Sequence, residues 1–259
     1  MSVWLQDQSW EEVQRKVKNG RDVVIIPVGS TEQHGRHLPL GTDTMAAIFL
    51  AEDAAKETGC LAAPPLWYGW SPHHMVLPGT VTIRPEILME LLYDIMASLH
   101  EHGFRKMAVI NGHRIVNIPW MQIVAERAQR VLGARVVLFD PAYMSKEIVP
   151  QLGFGSVGHA EEIETSHMLY KRPELVHLEK AEDSAGHGSL LYSVDPAYAK
   201  DTLCYVPGTR QAMEKQASSS GGTSGNPTRS TGKAGELYHR HLLDNLVAVI
   251  RSLLAPERC

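Results

Sequence analysis

Asp22-Val23-Val24-Ile25-Ile26-Pro27-Val28-Gly29-Ser30 is a nearly continuous apolar run closed by small residues. That pattern fits a strand buried on both faces, as in the interior of a parallel sheet. On its N-terminal side, Trp10 to Asn19 has apolar positions at helical spacing; on its C-terminal side Thr44 to Thr58 does the same, with Gly59 placed to stop the helix. Further out come a short apolar run at Leu61 to Ala63, an irregular Pro/Gly/aromatic stretch through Gly79, and a helix from Pro85 to His102. A strand at Lys106 to Ile110, a helix at Ile118 to Leu132 and a strand at Arg135 to Phe139 continue the alternation. Strands alternating with helices of this length predict an α/β chain with a mostly parallel sheet covered by helices on both faces. In such sheets, sites form where strands end and loops begin.

Ser218 to Gly232 is rich in turn formers and lacks apolar periodicity, so it reads as one long loop, a candidate lid. A terminal helix follows from Ala234 to Leu254, with Leu237, Leu242, Leu246, Val249, Ile250 and Leu253 at helical spacing. No repeat or linker divides the chain, so residues 1–259 are expected to form a single domain.

With 44% hydrophobic and 21% charged residues over 259 positions, the chain can bury a substantial core. The formal charge is −4 and Lys and Arg are scattered, which argues against nucleic acid or an anionic membrane as partner. The first ten residues lack the basic-then-apolar layout of a signal peptide, and no apolar stretch approaches the roughly 20 residues that span a bilayer. A cytoplasmic location is expected. Cys60, Cys204 and Cys259 are far apart and form no CxxC pair, so neither a disulfide framework nor a thiolate zinc site is indicated. Histidine stands out instead, with 13 copies, several concentrated in three short segments.

The first segment follows the opening strand. Glu32 and His34 are two apart, so an extended backbone points both side chains the same way, and Asp43 opens the next helix nine residues later. One imidazole and two carboxylates at a strand end suit Zn²⁺, Mn²⁺ or Fe²⁺. By spacing alone, Glu32 could equally be an exposed loop residue and Asp43 a helix cap. The second segment, Asn111-Gly112-His113, also lies at a predicted strand end, and two such ends in one parallel sheet converge on one edge. His113 therefore completes a candidate four-ligand set.

The third segment runs from Gly158 through His159, Glu161, Glu162 and Glu164 to Ser166 at a predicted helix start. Acidic residues in a first turn commonly just complement the helix dipole, which accounts well for Glu161. His159, flanked by glycine, is free to face a cleft as general acid or base. Pro72-His73-His74 could line a pocket, although paired histidines in such a loop are as often surface residues. Trp67, Tyr68 and Trp70 could wall a substrate site or simply pack. His187, His239 and His241 show no partner pattern.

Taken together, these residues resemble the creatininase, or creatinine amidohydrolase, family. The likeness rests on Gly29 to Asp43 with its Glu-Gln-His-Gly, on Pro78-Gly79-Thr80, on Asn111-Gly112-His113, and on His159 followed by Glu164-Thr165-Ser166. It implies a three-layer α/β/α fold, a site for one or two divalent ions, Zn or Mn with Fe as a third candidate, and a homo-oligomer, often a hexamer. It also implies that Glu32 and His113 bind one metal, His34 the other, and Asp43 bridges them, with His159 as proton shuttle.

In creatininase the second residue after this histidine is a glutamate ligand; here it is Ile115, preceded by Arg114. Isoleucine cannot bind a metal, so either the second site is weak and the enzyme runs on one metal, or another carboxylate, Glu164 first among them, takes over as ligand in the catalytic site. Arg114, with a guanidinium suited to oxygen-rich groups, is read together with His74 and Trp70 as substrate-facing. The expectation is a hydrolase of a small cyclic or linear amide, in which water acidified at the metal site attacks a carbonyl while His159 relays a proton. The alternative is opening of a cyclic keto-polyol or lactone ring, toward which Arg114 tilts the reading. A non-catalytic maturation or binding protein on the same fold is the third reading.

Overall fold

The computed structural model describes residues 2–155, 157–184, 192–193, 204–205 and 210–256. The opening apolar run forms strand β1 (Val23–Val28), every residue of which is buried. It lies second in a parallel four-stranded sheet ordered β2-β1-β3-β4, with β2 (Leu61–Ala62), β3 (Lys106–Asn111) and β4 (Arg135–Phe139) as its companions. The register sets Val24 beside Leu61 and Val28 beside Asn111, while Ile110 pairs with Phe139.

Alternation along β1 explains the layers. Val23 and Ile25 join the apolar core beneath helices α2 (Thr42–Thr58) and α9 (Gly232–Leu254), through Leu50, Ala54, Leu242 and Leu246. Val24, Ile26 and Val28 face the other way, into a core built with α3 (Pro85–Glu101) and α4 (Ile118–Leu132), through Leu92, Met96, Met121 and Val124. A strand apolar on both sides is therefore one whose two faces each meet a helical layer. The result is the three-layer α/β/α arrangement. Helix α1 (Trp10–Lys18) precedes β1 and starts with a capping box between Ser9 and Glu12.

After β4 come two short helices, α5 (Pro141–Met144) and α6 (Ile148–Gln151), and then α7 (Glu162–Lys171), which packs against α9. The 218–232 stretch is not one loop. Its first three residues end helix α8 (Arg210–Ser220), and Gly221 to Ser224 are buried, forming a wall of the interior. Among the described residues no helix is long and apolar enough to cross a membrane.

Candidate metal centre

β1 and β3 are parallel neighbours, so the segments leaving their C-terminal ends emerge side by side. The first carries Glu32 and His34, the second His113. Two glycines let the start of α2 close over both. A Cβ on Gly29 would lie 2.3 Å from Thr44 Oγ1, and one on Gly112 would lie 2.0 Å from the carbonyl oxygen of Asp43. That approach brings Asp43, in the first turn of α2 rather than at its cap, down between the two strand ends.

The expected residues do converge. Potential ligand atoms of Glu32, Asp43 and His113 lie within 4.8 Å of one another, and so do those of His34, Asp43 and Glu164. Asp43 belongs to both groups, and Glu164 from α7 brings a second carboxylate to the one that contains His34. A third grouping within the same limit joins Glu32, His34 and His159. His113 Nδ1 is 2.9 Å from Asp43 Oδ2, and its Nε2 is 3.3 Å from Glu32 Oε2. His34 Nε2 is 3.1 Å from Asp43 Oδ1 and 3.7 Å from Glu164 Oε2.

His34 Nδ1 lies 3.1 Å from the Glu32 carbonyl oxygen, which can only accept, so this nitrogen carries the proton. Neutral His34 therefore turns a bare Nε2 lone pair toward two carboxylates in a pocket where the ring is fully buried. Such an arrangement requires a cation between them or a second proton on the ring. In the protein without metal the proton does the work: burial opposes charge on His34, but Asp43 and Glu164 outweigh it and raise its pKa to about 10. Burial likewise opposes charge on His113, and Glu32 and Asp43 carry it up to about 9. Burial pushes the Glu32 carboxyl up to about 7. Burial would raise Asp43 too, yet the two histidines hold it well below the usual carboxylate range. Glu32 Oε1 remains buried without a hydrogen-bond partner. An orphaned carboxylate oxygen, a forced lone pair and a shared aspartate form a donor set that fits divalent cations.

His159 Nε2 donates to the carbonyl oxygen of Gln33 at 2.6 Å, which leaves Nδ1 as a lone pair, 3.6 Å from Glu32 Oε1. Burial and the neighbouring His34 charge hold its pKa well below the ordinary value, so the ring is neutral. Its backbone pairs in both directions with Ser224, from the wall that follows α8. His74 is buried, not a surface residue: its ring stacks on His159 at 4.0 Å between centroids. The Gln33 amide donates to His74 Nδ1 (2.8 Å) and to the Gly222 carbonyl (3.2 Å), tying loop, wall and histidine together.

Arg114 departs from the expectation of a substrate-facing guanidinium. It donates to both oxygens of Glu161, at 2.7 and 2.9 Å, and sits 2.6 Å from Glu164 Oε1. Its side chain is only 6% exposed, so it clamps Glu164 from behind. Glu161 is fully buried in that pair, so complementing the helix dipole is not its sole role. Trp70 is 38% exposed and immediately precedes Ser71, whose hydroxyl bonds Ser30 (2.6 Å) and lies 3.4 Å from His113 Nε2. Sequence pattern assigns no separate role to Ser30, Gln33 or Ser71, although Ser30 and Gln33 lie inside the first histidine segment. His239 does have partners, Asp53 (3.0 Å) and His167 (2.9 Å). His187 lies outside the described residues.

The profile of the family described as creatinine amidohydrolase matches residues 6–250. The chain belongs to the creatininase family. It is 32% identical over 197 residues to a 3-dehydro-scyllo-inosose hydrolase of Thermotoga maritima, covering 73% of this chain and 62% of that protein, so the matched part falls short of two thirds of that relative. It is 30% identical to the creatinine amidohydrolase of Pseudomonas putida (70% of this chain, 76% of that one). It is also 30% identical to a mycofactocin precursor peptide peptidase of Mycobacterium ulcerans (88% and 84%). Among solved structures, a manganese creatininase superposes with a TM-score of 0.78 at 26% identity, over 99% of this chain and 100% of that one. A zinc–zinc form of a creatininase mutant gives 0.77 at 25% identity, with the same coverage.

Proposed function

We propose that this member of the creatininase family is a metal-dependent hydrolase of a small carbonyl compound. Glu32, Asp43 and His113 would hold one divalent ion and His34, Asp43 and Glu164 a second, with Asp43 shared. The observation that carries the reading is His34, whose backbone hydrogen bond fixes a lone pair toward Asp43 and Glu164 in a buried pocket. Zinc or manganese, the metals of the structural relatives, would supply Lewis acidity toward a carbonyl and acidify water there; iron is the third candidate.

His159 is the proton carrier. Its neutral ring accepts a proton at Nδ1 from the attacking water and returns it to the leaving group, while the Nε2 hydrogen bond to Gln33 keeps the ring in place throughout. The Glu32 carboxylate, 3.6 Å away, stabilises the imidazolium in between. Stacked His74 fixes the plane of His159 and, with Trp70, borders the substrate. Arg114 serves by orienting Glu164.

The primary substrate class is a small cyclic or linear amide, with cleavage of its C–N bond. Opening of a cyclic keto-polyol is the second reading, favoured by the 32% identity to an inosose hydrolase. Because Arg114 is spent on Glu161 and Glu164, it no longer argues for a hydroxylated substrate. The same reading has the protein act in the cytoplasm as a homo-oligomer, with a hexamer as the assembly to look for by light scattering.

Counting Zn, Mn and Fe in purified wild type beside Glu164→Ala tests the centre. Close to two ions per chain, falling to one in the variant, is expected; equal content in both removes Glu164 as a ligand. Product analysis then separates the substrate classes, since amide cleavage releases an amine and ring opening yields a new carboxylate without one.

A further inference from the structure

The turn that carries His113 is fastened by a carboxylate that belongs to neither ligand group. Ile115, two residues beyond His113, has φ +66°. For a β-branched residue this is a true outlier, and such strain persists only where the surroundings over-determine it. The fastening comes from Asp140, at the end of β4 and 2% exposed. Its Oδ2 accepts the Ile115 backbone N–H at 2.7 Å and the Asn111 side-chain amide at 2.8 Å. Its Oδ1 accepts the Ala142 N–H at 2.8 Å and so caps α5. One oxygen thus ties together both ends of the 111–115 turn, and the residues between those ends include His113, a ligand candidate, and Arg114, which orients another.

We propose that Asp140 is a positioning residue for the metal centre, holding the strained Ile115 backbone so that His113 and Arg114 reach Asp43 and Glu164 together. The chemistry demands a carboxylate, because both oxygens must accept: Oδ2 from two N–H donors of the turn and Oδ1 from the Ala142 N–H. An asparagine there would either surrender the α5 cap or set its own N–H₂ against those donors. A serine could keep the cap, since serine is a good N-cap, yet it is too short to reach the turn. The role in metal binding rests on the hydrolase reading above; the fastening of the turn does not.

The experiment compares wild type, Asp140→Ser, Ile115→Gly and the double variant, by amide exchange across residues 111–117 in the metal-free protein and by zinc affinity against a competing chelator. In Asp140→Ser exchange of the Ile115 amide should accelerate and zinc affinity should fall by about 10-fold or more, the scale of losing an outer partner of a metal ligand. Ile115→Gly alone should bind zinc as wild type does. In the double variant affinity should return to within about threefold, because glycine takes positive φ without strain and the turn no longer needs the clamp. Wild-type exchange and affinity in Asp140→Ser, or a folded double variant with no recovery, would overturn the proposal. Should Asp140→Ser fail to fold, Asp140→Thr, likewise able to cap α5 but too short to reach the turn, takes its place with the same expectations. A wild type that binds neither zinc, manganese nor iron would sink the hydrolase reading, and the exchange data would still decide the fastening.

Discussion

Replacing Gly112 with alanine adds one methyl group at the point where the two ligand-bearing strand ends and α2 come closest. The new Cβ would stand 2.0 Å from the Asp43 carbonyl oxygen and 2.8 Å from its carbon, whereas ordinary contact begins at 3.4 Å. The shortfall at the oxygen is about 1.4 Å, and both atoms it meets are backbone, so no side chain can swing away. Either the 111–113 turn or the first turn of α2 must retreat by on the order of 1 Å. Metal–ligand distances tolerate only about ±0.2 Å. His113 and Asp43 lie on opposite sides of this contact, 2.9 Å apart. The same displacement that relieves the clash therefore pulls apart two ligands of one ion. Overpacking of this kind costs about 1–3 kcal/mol, or a Tm lower by roughly 2–12 °C in a chain of this size. The assay is a thermal melt of the metal-free protein, with zinc counted per chain after reconstitution. A variant that melts like wild type and fills with metal would refute the reasoning, because it would mean α2 does not press on the strand ends as the backbone shows.

The raised histidine pKa values give a signed pH effect. Charge on His34 and His113 stabilises the metal-free protein fully below the unfolded value of about 6.5, and that stability is lost as pH rises through about 9 and then about 10. Calorimetry in buffers of different ionisation enthalpy should accordingly find protons released when zinc binds near pH 7.5; no release would show the rings already neutral. Arg114→Met leaves Glu161 and Glu164 buried without their cation, so chemical denaturation should show a loss of about 3–5 kcal/mol; a near-neutral effect would place the guanidinium in solvent. His159→Gln should keep its full metal content while kcat falls about 10²–10⁴-fold. Metal loss alongside activity would instead make His159 a ligand, as its grouping with Glu32 and His34 would allow.

What could be read from the sequence divides along a physical line. Features set by chain neighbours were legible: the two-faced burial of β1 follows from its unbroken apolar run, and Glu32, His34 and His113 follow from lying just past predicted strand ends. Asp43 was legible through its place at the start of α2. Features set by where a long side chain comes to rest were not. Arg114 could reach outward to a substrate or inward to an acid, and only the fold decides that Glu161 is 2.7 Å away. His74 sits in a Pro-rich loop that gives no hint of the ring beneath it. The Ser/Gly-rich stretch after α8 has the composition of a mobile segment, yet Gly222, at φ +95°, is there because a Cβ would lie 2.2 Å from the Gln33 side chain. Composition records that the backbone there must be small and permissive; whether solvent or a histidine centre lies against it is a tertiary fact. The same reasoning applies to Ile115. In the sequence it is only a missing ligand, but its backbone conformation makes it the place where the centre's geometry is held under strain, and the carboxylate that answers for that strain is 25 residues away.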